Sequence, residues 1–494
     1  MEERQPQTDN QFEIHAFGKD ALIYSLGNGL LLLFGAIQFL IIPKYLTVEG
    51  YGYWQLFMLY GTYVGILHLG FIDGILVRWA GKELAQIGNE MRVAFAFLLV
   101  EQVVVILPLA LLLYFLLSPP LQWLWLMVLA YAFVMNLATF FMFTAQAVRK
   151  FRLLTAVNVA RGLAFLILVV LLFVLGYLNY HYVVLAFVAS LFLALVILAF
   201  RFRKYLSGQK PPISSLRAYG KENINIGIFV LLGNFVVVLF LTVDRLMVSS
   251  FFTIEQFAIY AFALSIVIVV YSFVMAASEV FFPYLSGAAP ELRTRAYHLG
   301  EPAIILAWAA ILAGYFPVAR LVQFYLPHYV ASLPAMQILL CTVGFGSLIQ
   351  ILHVNYYKVY RKQRQYFLWG ITALAVAVML NFLAIRVWGT LQSVDIATLI
   401  SFGVWYIINE LSLRSVLEES SKELWKGLMV VVCYVGAFCF ASFLADCFIS
   451  QMVIYICLFS LVTWLFLRRE LKELVAVARE IRGQQRSDAQ TGNG

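Results

Sequence analysis

The chain has few charged residues for its length. Only 12% of its 494 residues are Asp, Glu, Lys or Arg, whereas 63% are hydrophobic. A soluble domain carries roughly twice that charged fraction, so the composition excludes a soluble enzyme. The hydrophobic residues occur in blocks of about 20, the length of a membrane-spanning helix, and not in the short alternating segments of a transmembrane barrel. The sequence therefore predicts an all-α polytopic membrane protein.

Several kinds of catalytic site also lack their sequence signals. The five cysteines lie within hydrophobic blocks, and none has metal-ligand spacing with a histidine. No Gly-rich phosphate loop of the ATPase type is present, so direct ATP drive has no support. The predicted outer connections are short and carry no cluster of Asp, Glu or His to hold a metal or a sugar. We therefore expect no enzymatic activity, no metal site and no bound cofactor.

Hydrophobic runs between polar breaks predict the membrane topology. They indicate about fourteen transmembrane helices, near residues 20–43, 51–77, 93–117, 121–146, 154–176, 180–200, 223–244, 257–282, 302–324, 330–356, 366–387, 391–413, 426–446 and 450–467. Of the 34 basic residues, 29 lie in the even-numbered connections or the termini. The positive-inside rule then places both termini in the cytoplasm, which requires an even number of helices.

The same asymmetry explains the net charge of +8. Because the positive charge is predicted to lie at the cytoplasmic surface of the membrane, it fits contact with anionic lipid head groups. It gives no support to nucleic-acid binding. We expect a multi-pass protein of the inner (cytoplasmic) cell membrane.

The sequence contains an internal repeat. Residues 47–54 match residues 253–260, and Asp73 matches Glu279, all at an offset of 206 residues. The tripartite basic pattern at 149–152 returns at 361–364, at an offset of 212. A nearly constant offset over several motifs indicates duplication.

The repeat predicts the domain organisation. Residues 1–206 and 207–414 form two six-helix bundles in the same orientation, related by a pseudo-twofold axis along the membrane normal. Residues 415–467 add the helix pair 13–14, and residues 468–494 form a cytoplasmic amphipathic tail that is partly disordered. Two such bundles usually rock about a shared cavity, which is the geometry of alternating access.

The second predicted helix carries a recognisable pattern. It comprises Tyr-Gly-Tyr-Trp at 51–54, Leu-Gly-Phe-Ile-Asp-Gly at 69–74 and Arg-x-x-Gly-Lys at 78–82. This pattern resembles the polysaccharide flippases, which move lipid-linked O-antigen, capsule or exopolysaccharide repeat units and share a superfamily with multidrug extruders and the lipid II flippase. The resemblance implies a V-shaped pair of bundles, a cationic central cavity, a tail-binding role for helices 13–14 and a proton or sodium gradient as the drive. It also implies the lipid bilayer, a lipid-linked oligosaccharide and glycan-assembly proteins as partners.

Polar residues inside the predicted helices are candidates for substrate binding. Arg161 lies about seven residues inside the fifth predicted helix, with Asn158 on the same face, and Asn28 lies on a polar face of the first. We expect Arg161 to face a cavity and contact a diphosphate, unless it is only an anchor that reaches the interface.

Five further cations lie near helix ends. Lys44, Arg245, Arg320 and Arg386 either reach the interface with their long side chains or form an electropositive outer mouth for a diphosphate. Arg78 ends the second predicted helix and is either a cytoplasmic anchor or a phosphate contact.

Three acids are candidates for coupling to an ion gradient. Asp73 and Glu279 occupy matching positions of the repeat and either bind a cation or are held by backbone donors. Glu101 is a third candidate, or else the structural charge partner of Arg161. A second group of polar residues has simpler expected roles. Three carboxylates near helix ends are expected at the membrane interface, and two isolated imidazoles are expected to be packing residues: Asp244, Asp395 and Glu410, and His68 and His353.

These features favour a flippase that moves polyprenyl-diphosphate-linked oligosaccharide from the cytoplasmic to the outer leaflet by alternating access. The alternative is a multidrug or cation antiporter of the same fold, and a membrane glycan polymerase or glycosyltransferase is a weaker one. A basic mouth and a deep arginine favour an anionic substrate over a cationic drug.

Overall fold

The computed structural model describes residues 39–207, 213–417, 422–444 and 447–476, together with Gly35 and Arg479. Regular structure within these ranges is helical throughout. The all-α fold predicted from composition is confirmed.

A short helical segment at 39–45 precedes sixteen numbered helices. The first eight are α1 (Val48–Gly61), α2 (Phe71–Trp79), α3 (Leu84–Leu116), α4 (Pro119–Ala147), α5 (Phe151–Val174), α6 (Tyr180–Leu206), α7 (Ile213–Phe251) and α8 (Ile254–Gly287). The second eight are α9 (Pro290–Leu312), α10 (Tyr315–Tyr325), α11 (Leu333–Ser347), α12 (Val354–Val359), α13 (Gln363–Val387), α14 (Leu391–Leu417), α15 (Lys422–Leu444) and α16 (Phe448–Phe466). Two 3₁₀ turns (Val64–His68 and Pro327–Ser332) and a π-turn (Leu348–His353) connect neighbouring helices.

The described residues contain twelve segments long and apolar enough to cross a membrane, or thirteen if α1, the first 3₁₀ turn and α2 count as one bent span. The predicted helix at 20–43 lies mostly outside the described residues. The protein is a multi-pass membrane protein, and the count of fourteen spans stays a prediction.

The chain divides into two compact units, Met1–Leu239 (unit 1) and Phe240–Gly494 (unit 2). The division falls within α7. The predicted boundaries at 206 and 414 rest on the repeat alone and stay predictions.

The repeated sequence 47–54 and 253–260 marks the start of a helix in both copies. Thr47 caps α1 by accepting a hydrogen bond from the backbone N–H of Gly50, and Thr253 caps α8 in the same way from Gln256. Each helix also carries an acid in its first turn, where the helix dipole favours negative charge. The duplication therefore preserved a capping device.

The repeated basic pattern marks a helix end. Arg149 and Arg361 adopt φ angles of 58° and 54°, in the left-handed region that non-glycine residues rarely occupy. The next residue closes the turn in each case: the N–H of Lys150 donates to the carbonyl of Ala145 (2.7 Å), and that of Lys362 donates to the carbonyl of Tyr357 (2.8 Å). Both copies thus end in the same Schellman-type turn.

Glycines bring the backbones of α2 and α7 into direct contact within unit 1. A Cβ atom on Gly227 would lie 1.9 Å from the carbonyl oxygen of Gly70, and one on Gly74 would lie 2.0 Å from the carbonyl oxygen of Asn223. Gly70 also has a φ of 81°, which a side chain would strain. Glycine at these positions therefore permits both the close contact and the bend.

This contact predicts opposite effects for two alanine substitutions in α7. Gly227→Ala should lower the thermal stability of the purified protein, because the new methyl group must push α2 away. Gly233→Ala is the matched control: a Cβ there would meet no atom of the described residues within 4 Å, and alanine favours a helix by about 0.5–1 kcal/mol over glycine. Equal melting temperatures for Gly227→Ala and the parent protein would contradict the proposed contact.

Candidate functional site

The second predicted span is broken in its middle. The segments Val48–His68 and Phe71–Trp79 meet at 65°, and the break places Leu69 and Gly70 at positive φ. A break in a membrane helix frees backbone carbonyls, which must find donors from the protein. Asn136 of α4 donates through Nδ2 to the carbonyl of Val64 (3.3 Å), and Gln102 of α3 donates through Nε2 to that of Leu67 (3.1 Å).

These two amides form a buried network with an acid. Asn136 Nδ2 donates to Gln102 Oε1 (2.8 Å), and Gln102 Nε2 donates to Glu101 Oε2 (3.1 Å). Glu101 Oε1 is buried and makes no hydrogen bond to any residue that the structure describes. Glu101 is thus connected to the broken backbone through Gln102, which also donates to the carbonyl of Leu67.

A polar cavity of about 390 Å³ lies against the break. The end of α1, the first 3₁₀ turn, α4 and α5 form its wall, in which the polar side chains are Thr62, His68, Asn136, Thr139, Gln146 and Asn158. Asn136, Thr139 and Gln146 of α4 therefore face one cavity. Asn158 lies in the same wall, and its role as a substrate ligand stays a prediction.

Arg161 lies three residues beyond Asn158 on α5 and is half-buried. Its guanidinium carbon is 5.2 Å from the ring centre of Phe187, and it interacts with the side chain of Tyr131. No ion pair joins Arg161 to a carboxylate among the described residues, since Glu101 accepts a hydrogen bond from Gln102 instead. Aromatic side chains, not an acid, thus hold this cation, and Asn158, one turn before it, is the nearest residue of α5 in the described wall of the cavity.

His68 links the cavity to a candidate coupling acid. Its Nε2 is 3.8 Å from Asp73 Oδ2, and both side chains are buried. The expectation that His68 is an isolated packing residue was wrong, because the break folds α2 back so that residues 68 and 73 meet. Asp73 stays a prediction as a coupling residue.

Arg78 is held by acids. It pairs with Glu222 of α7 (2.8 Å) and Glu90 of α3 (3.4 Å), and its guanidinium lies 4.8 Å from the ring centre of Tyr219. A phosphate contact at Arg78 therefore requires displacement of these partners. The anchoring alternative fits the observed contacts directly.

The other predicted site residues are scattered. Lys44 is half-buried in unit 1; in unit 2, Arg320 is exposed beside Gln323, Arg245 is buried and Glu279 is exposed. Asn28 lies outside the described residues. Asp73 and Glu279, although matched in the repeat, therefore differ in burial.

Three carboxylates expected at the membrane interface are buried: Asp244, Asp395 and Glu410 are 4%, 0% and 0% exposed. α7 and α14 extend beyond the hydrophobic runs, which places Asp244 and Glu410 about two turns inside their helices. The depth of the three carboxylates in the membrane stays a prediction. Asp244 accepts hydrogen bonds from the hydroxyl of Tyr260 (2.6 Å) and the backbone N–H of Arg245 (2.7 Å).

Glu410 belongs to an ionic cluster in unit 2 that the sequence did not reveal. Its Oε2 is 2.7 Å from His353 Nε2, its Oε1 accepts from Arg414 Nε (2.6 Å), and Arg414 Nη2 also pairs with Glu301 (3.2 Å). The packing role expected for His353 and the loop position expected for Arg414 were therefore wrong. The i,i+4 spacing of Glu410 and Arg414 was the signal that could have indicated the pair.

A comparison with known protein families shows to which family the chain belongs. The profile of the family described as "Polysaccharide biosynthesis protein" matches residues 17–288, more than half of the sequence. The chain belongs to this family. A search of curated protein sequences finds no match.

Solved structures show which fold this family member shares. The lipid II flippase MurJ in an inward closed conformation superposes with a TM-score of 0.66 at 13% identity, over 91% of this chain and 100% of that one. An inward-facing MATE transporter of the MOP superfamily superposes with a TM-score of 0.54 at 13% identity, over 80% of this chain and 94% of that one. At such low identity the likeness establishes the fold.

The amide network yields a stability prediction. Gln102→Leu should lower the free energy of unfolding by about 1–3 kcal/mol, because Asn136 and the carbonyl of Leu67 each lose a buried partner. Thermal unfolding of the purified protein measures the change. Val103→Ala, on the neighbouring half-exposed residue, should change stability much less. An unchanged melting temperature for Gln102→Leu would show that the amides do not stabilise the break.

Proposed function

We propose that the protein is a flippase that moves polyprenyl-diphosphate-linked oligosaccharide from the cytoplasmic to the outer leaflet. The observation that carries the proposal is the cavity at the broken span, whose wall bears amide, hydroxyl and imidazole groups, in a member of a polysaccharide biosynthesis family. Its fold is that of a lipid II flippase and of MATE transporters, which supports transport by alternating access rather than bond chemistry.

The cavity suits a glycan. Amides and hydroxyls both donate and accept hydrogen bonds, as sugar hydroxyl groups require. Thr139 and Asn158 supply such groups from two helices, whereas the Asn136 amide nitrogen already donates to Val64 and Gln102. Arg161, one turn from Asn158, would contact the diphosphate, for which a guanidinium offers paired donors.

A cation antiporter of the same fold is the second candidate. Buried acids near the cavity, Asp73 and Glu101, favour it. However, the described wall of the cavity includes no carboxylate, and Glu101 lies behind Gln102 and Asn136. A cationic drug would therefore meet neutral groups first, which favours the glycan substrate.

The remaining elements of the proposal concern membrane context. Both termini lie in the cytoplasm and the protein resides in the inner membrane, as the basic residues indicate. The lipid tail lies against α15 and α16, and glycan-assembly proteins supply the substrate and receive the product.

Arg161 provides the first functional test. In proteoliposomes, flipping of a polyprenyl-diphosphate oligosaccharide is measured by its accessibility to an impermeant glycosidase. Arg161→Ala should reduce the rate about 10- to 100-fold, the equivalent of one lost charge-assisted contact. Arg161→Lys should restore part of it, because charge returns without the bidentate geometry. Arg203→Ala, at an exposed cation over the ring of Phe200, is the control and should flip normally. If Arg161→Ala flips the substrate at the rate of the parent protein, Arg161 does not contact the diphosphate and serves only as an anchor at the membrane interface.

Asp73 provides a test of coupling. We propose that transport uses a proton or sodium gradient, with Asp73, Glu279 and Glu101 as candidate carriers. Asp73→Asn should abolish the dependence of flipping on the imposed gradient while substrate still binds, because the amide cannot change its charge. Glu279→Gln, at the exposed matching position, is the comparison. Full gradient dependence in both variants would exclude these two acids and leave Glu101.

A further inference from the structure

Unit 2 contains a buried cluster of charged residues, none of which lines the cavity described in unit 1. It consists of Glu301 on α9, His353 at the end of the π-turn, and Glu410 and Arg414 on α14. His353, Glu410 and Arg414 are no more than 1% exposed. A π-turn inside a helical span is uncommon and frequently occurs at functional sites.

The charges of the cluster do not balance without an added proton. Counted over these four described side chains alone, two carboxylates face one guanidinium, so with a neutral imidazole the sum is one negative charge. A net charge is costly in a buried site. The neutral ring donates its Nε2–H to Glu410 Oε2 across 2.7 Å, and one extra proton, taken up at Nδ1, makes an imidazolium and brings this sum to zero.

The surrounding hydrogen bonds hold the two carboxylates in place. The hydroxyl of Tyr297 donates to Glu410 Oε2 (2.5 Å), and that of Tyr406 donates to Glu301 Oε1 (2.8 Å). The ring of Tyr406 also stacks on His353 at 5.5 Å. By contrast, His353 Nδ1 is buried and has no hydrogen-bond partner among the described residues. The imidazole is therefore oriented from one side only.

Other ionisable groups on the elements packed against the π-turn have their own contacts or are exposed. The hydroxyl of Tyr356 donates to the carbonyl of Arg293, and that of Tyr357 to the carbonyl of Asn409. Of the remaining ionisable groups of these helices, Arg293 donates to the carbonyls of Leu285 and Ser286, Tyr260 donates to Asp244, and Glu291, Arg295 and His298 line a cavity beside α9. Cys341 and Asp395 are buried, Tyr271 is half-buried, and Glu255, Glu279, Tyr284 and Lys358 are exposed. Glu301, Arg414, Tyr297 and Tyr406 are thus the groups that set the environment of the His353–Glu410 pair.

A second cavity gives the cluster a route to water. It has a volume of about 560 Å³ and lies against α9, α15 and residues 467–473. Glu301 is part of its wall and pairs with Arg414, which also pairs with Glu410. Because a guanidinium does not release its protons, Arg414 links the two carboxylates electrostatically, and water meets the cluster at Glu301. Gly427 of α15 packs on Glu301: a Cβ there would lie 2.4 Å from Glu301 Oε1.

We propose that Glu301, Arg414, Glu410 and His353 form a proton-binding site of unit 2, which exchanges one proton with water in the cavity beside α9 and α15. The proton comes from that water and returns to it, and its binding adds one positive charge to the cluster. The use of this site in transport rests on the proposed function, whereas proton binding itself does not.

Imidazole NMR of the full-length protein in lipid nanodiscs tests the site directly. Protein labelled with ¹⁵N-histidine is titrated between about pH 5 and pH 9, and the His353 signal is identified by its absence in His353→Gln. We expect this signal to titrate. In Glu410→Gln its midpoint should fall by about one pH unit or more, because the carboxylate charge that favours the protonated ring is gone. Tyr297→Phe should also move the midpoint, through loss of the hydroxyl that donates to Glu410.

His328→Gln is the matched control, because His328 is exposed and lies outside the cluster, and it should leave the His353 midpoint unchanged. If His353→Gln does not fold, Tyr297→Phe, which keeps the buried ring, identifies the signal by its shift. A His353 signal that stays constant across the range, or the same midpoint in Glu410→Gln and Tyr297→Phe as in the parent protein, overturns the proposal. If the protein flips lipid-linked oligosaccharide but the His353 signal does not titrate, only the proton-binding site is refuted. If the His353 signal titrates but the protein does not flip lipid-linked oligosaccharide, only the proposed function is refuted.

Discussion

The backbone break between α1 and α2 depends on one requirement: carbonyl groups freed inside a membrane-spanning segment must be given donors by the protein. Gln102 and Asn136 meet it for Leu67 and Val64. The same amides hold Glu101 and line the cavity, and the fold-back that they stabilise brings His68 to Asp73 and lets Gly70 contact Gly227. The polar cavity, the buried acid–histidine pair and the tight contact with α7 therefore follow from a single interruption of a helix.

Unit 2 meets a different requirement, the burial of charge. Glu301, Glu410 and Arg414 lie inside a helical bundle because each carboxylate has both a tyrosine hydroxyl and the guanidinium as partners. A buried ion cluster of this kind contributes little net stability, since desolvation offsets the attraction. Its retention in the fold is better explained by a role in binding a proton, and the adjoining cavity supplies the water for exchange.

Sequence patterns predicted the helices and the local turns better than they predicted the charges. The repeat motifs correspond to helix caps at Thr47 and Thr253 and to left-handed turns at Arg149 and Arg361, because caps and turns are set by neighbouring residues. Arg414 was misplaced because hydrophobic runs mark the apolar part of a helix, whereas α14 continues beyond it within the protein. The partners of Arg78 and His353 come from distant parts of the chain, which no local pattern reveals.

The most direct test of the central claim is the leaflet distribution of lipid-linked oligosaccharide in cells that lack this protein. An impermeant glycan-modifying reagent distinguishes molecules in the outer leaflet from those that face the cytoplasm. A flippase for these lipids predicts that they accumulate in a form the reagent cannot reach, and that expression of the protein restores their modification. Unchanged amounts and unchanged modification in cells that carry no other transporter for these lipids would contradict the account.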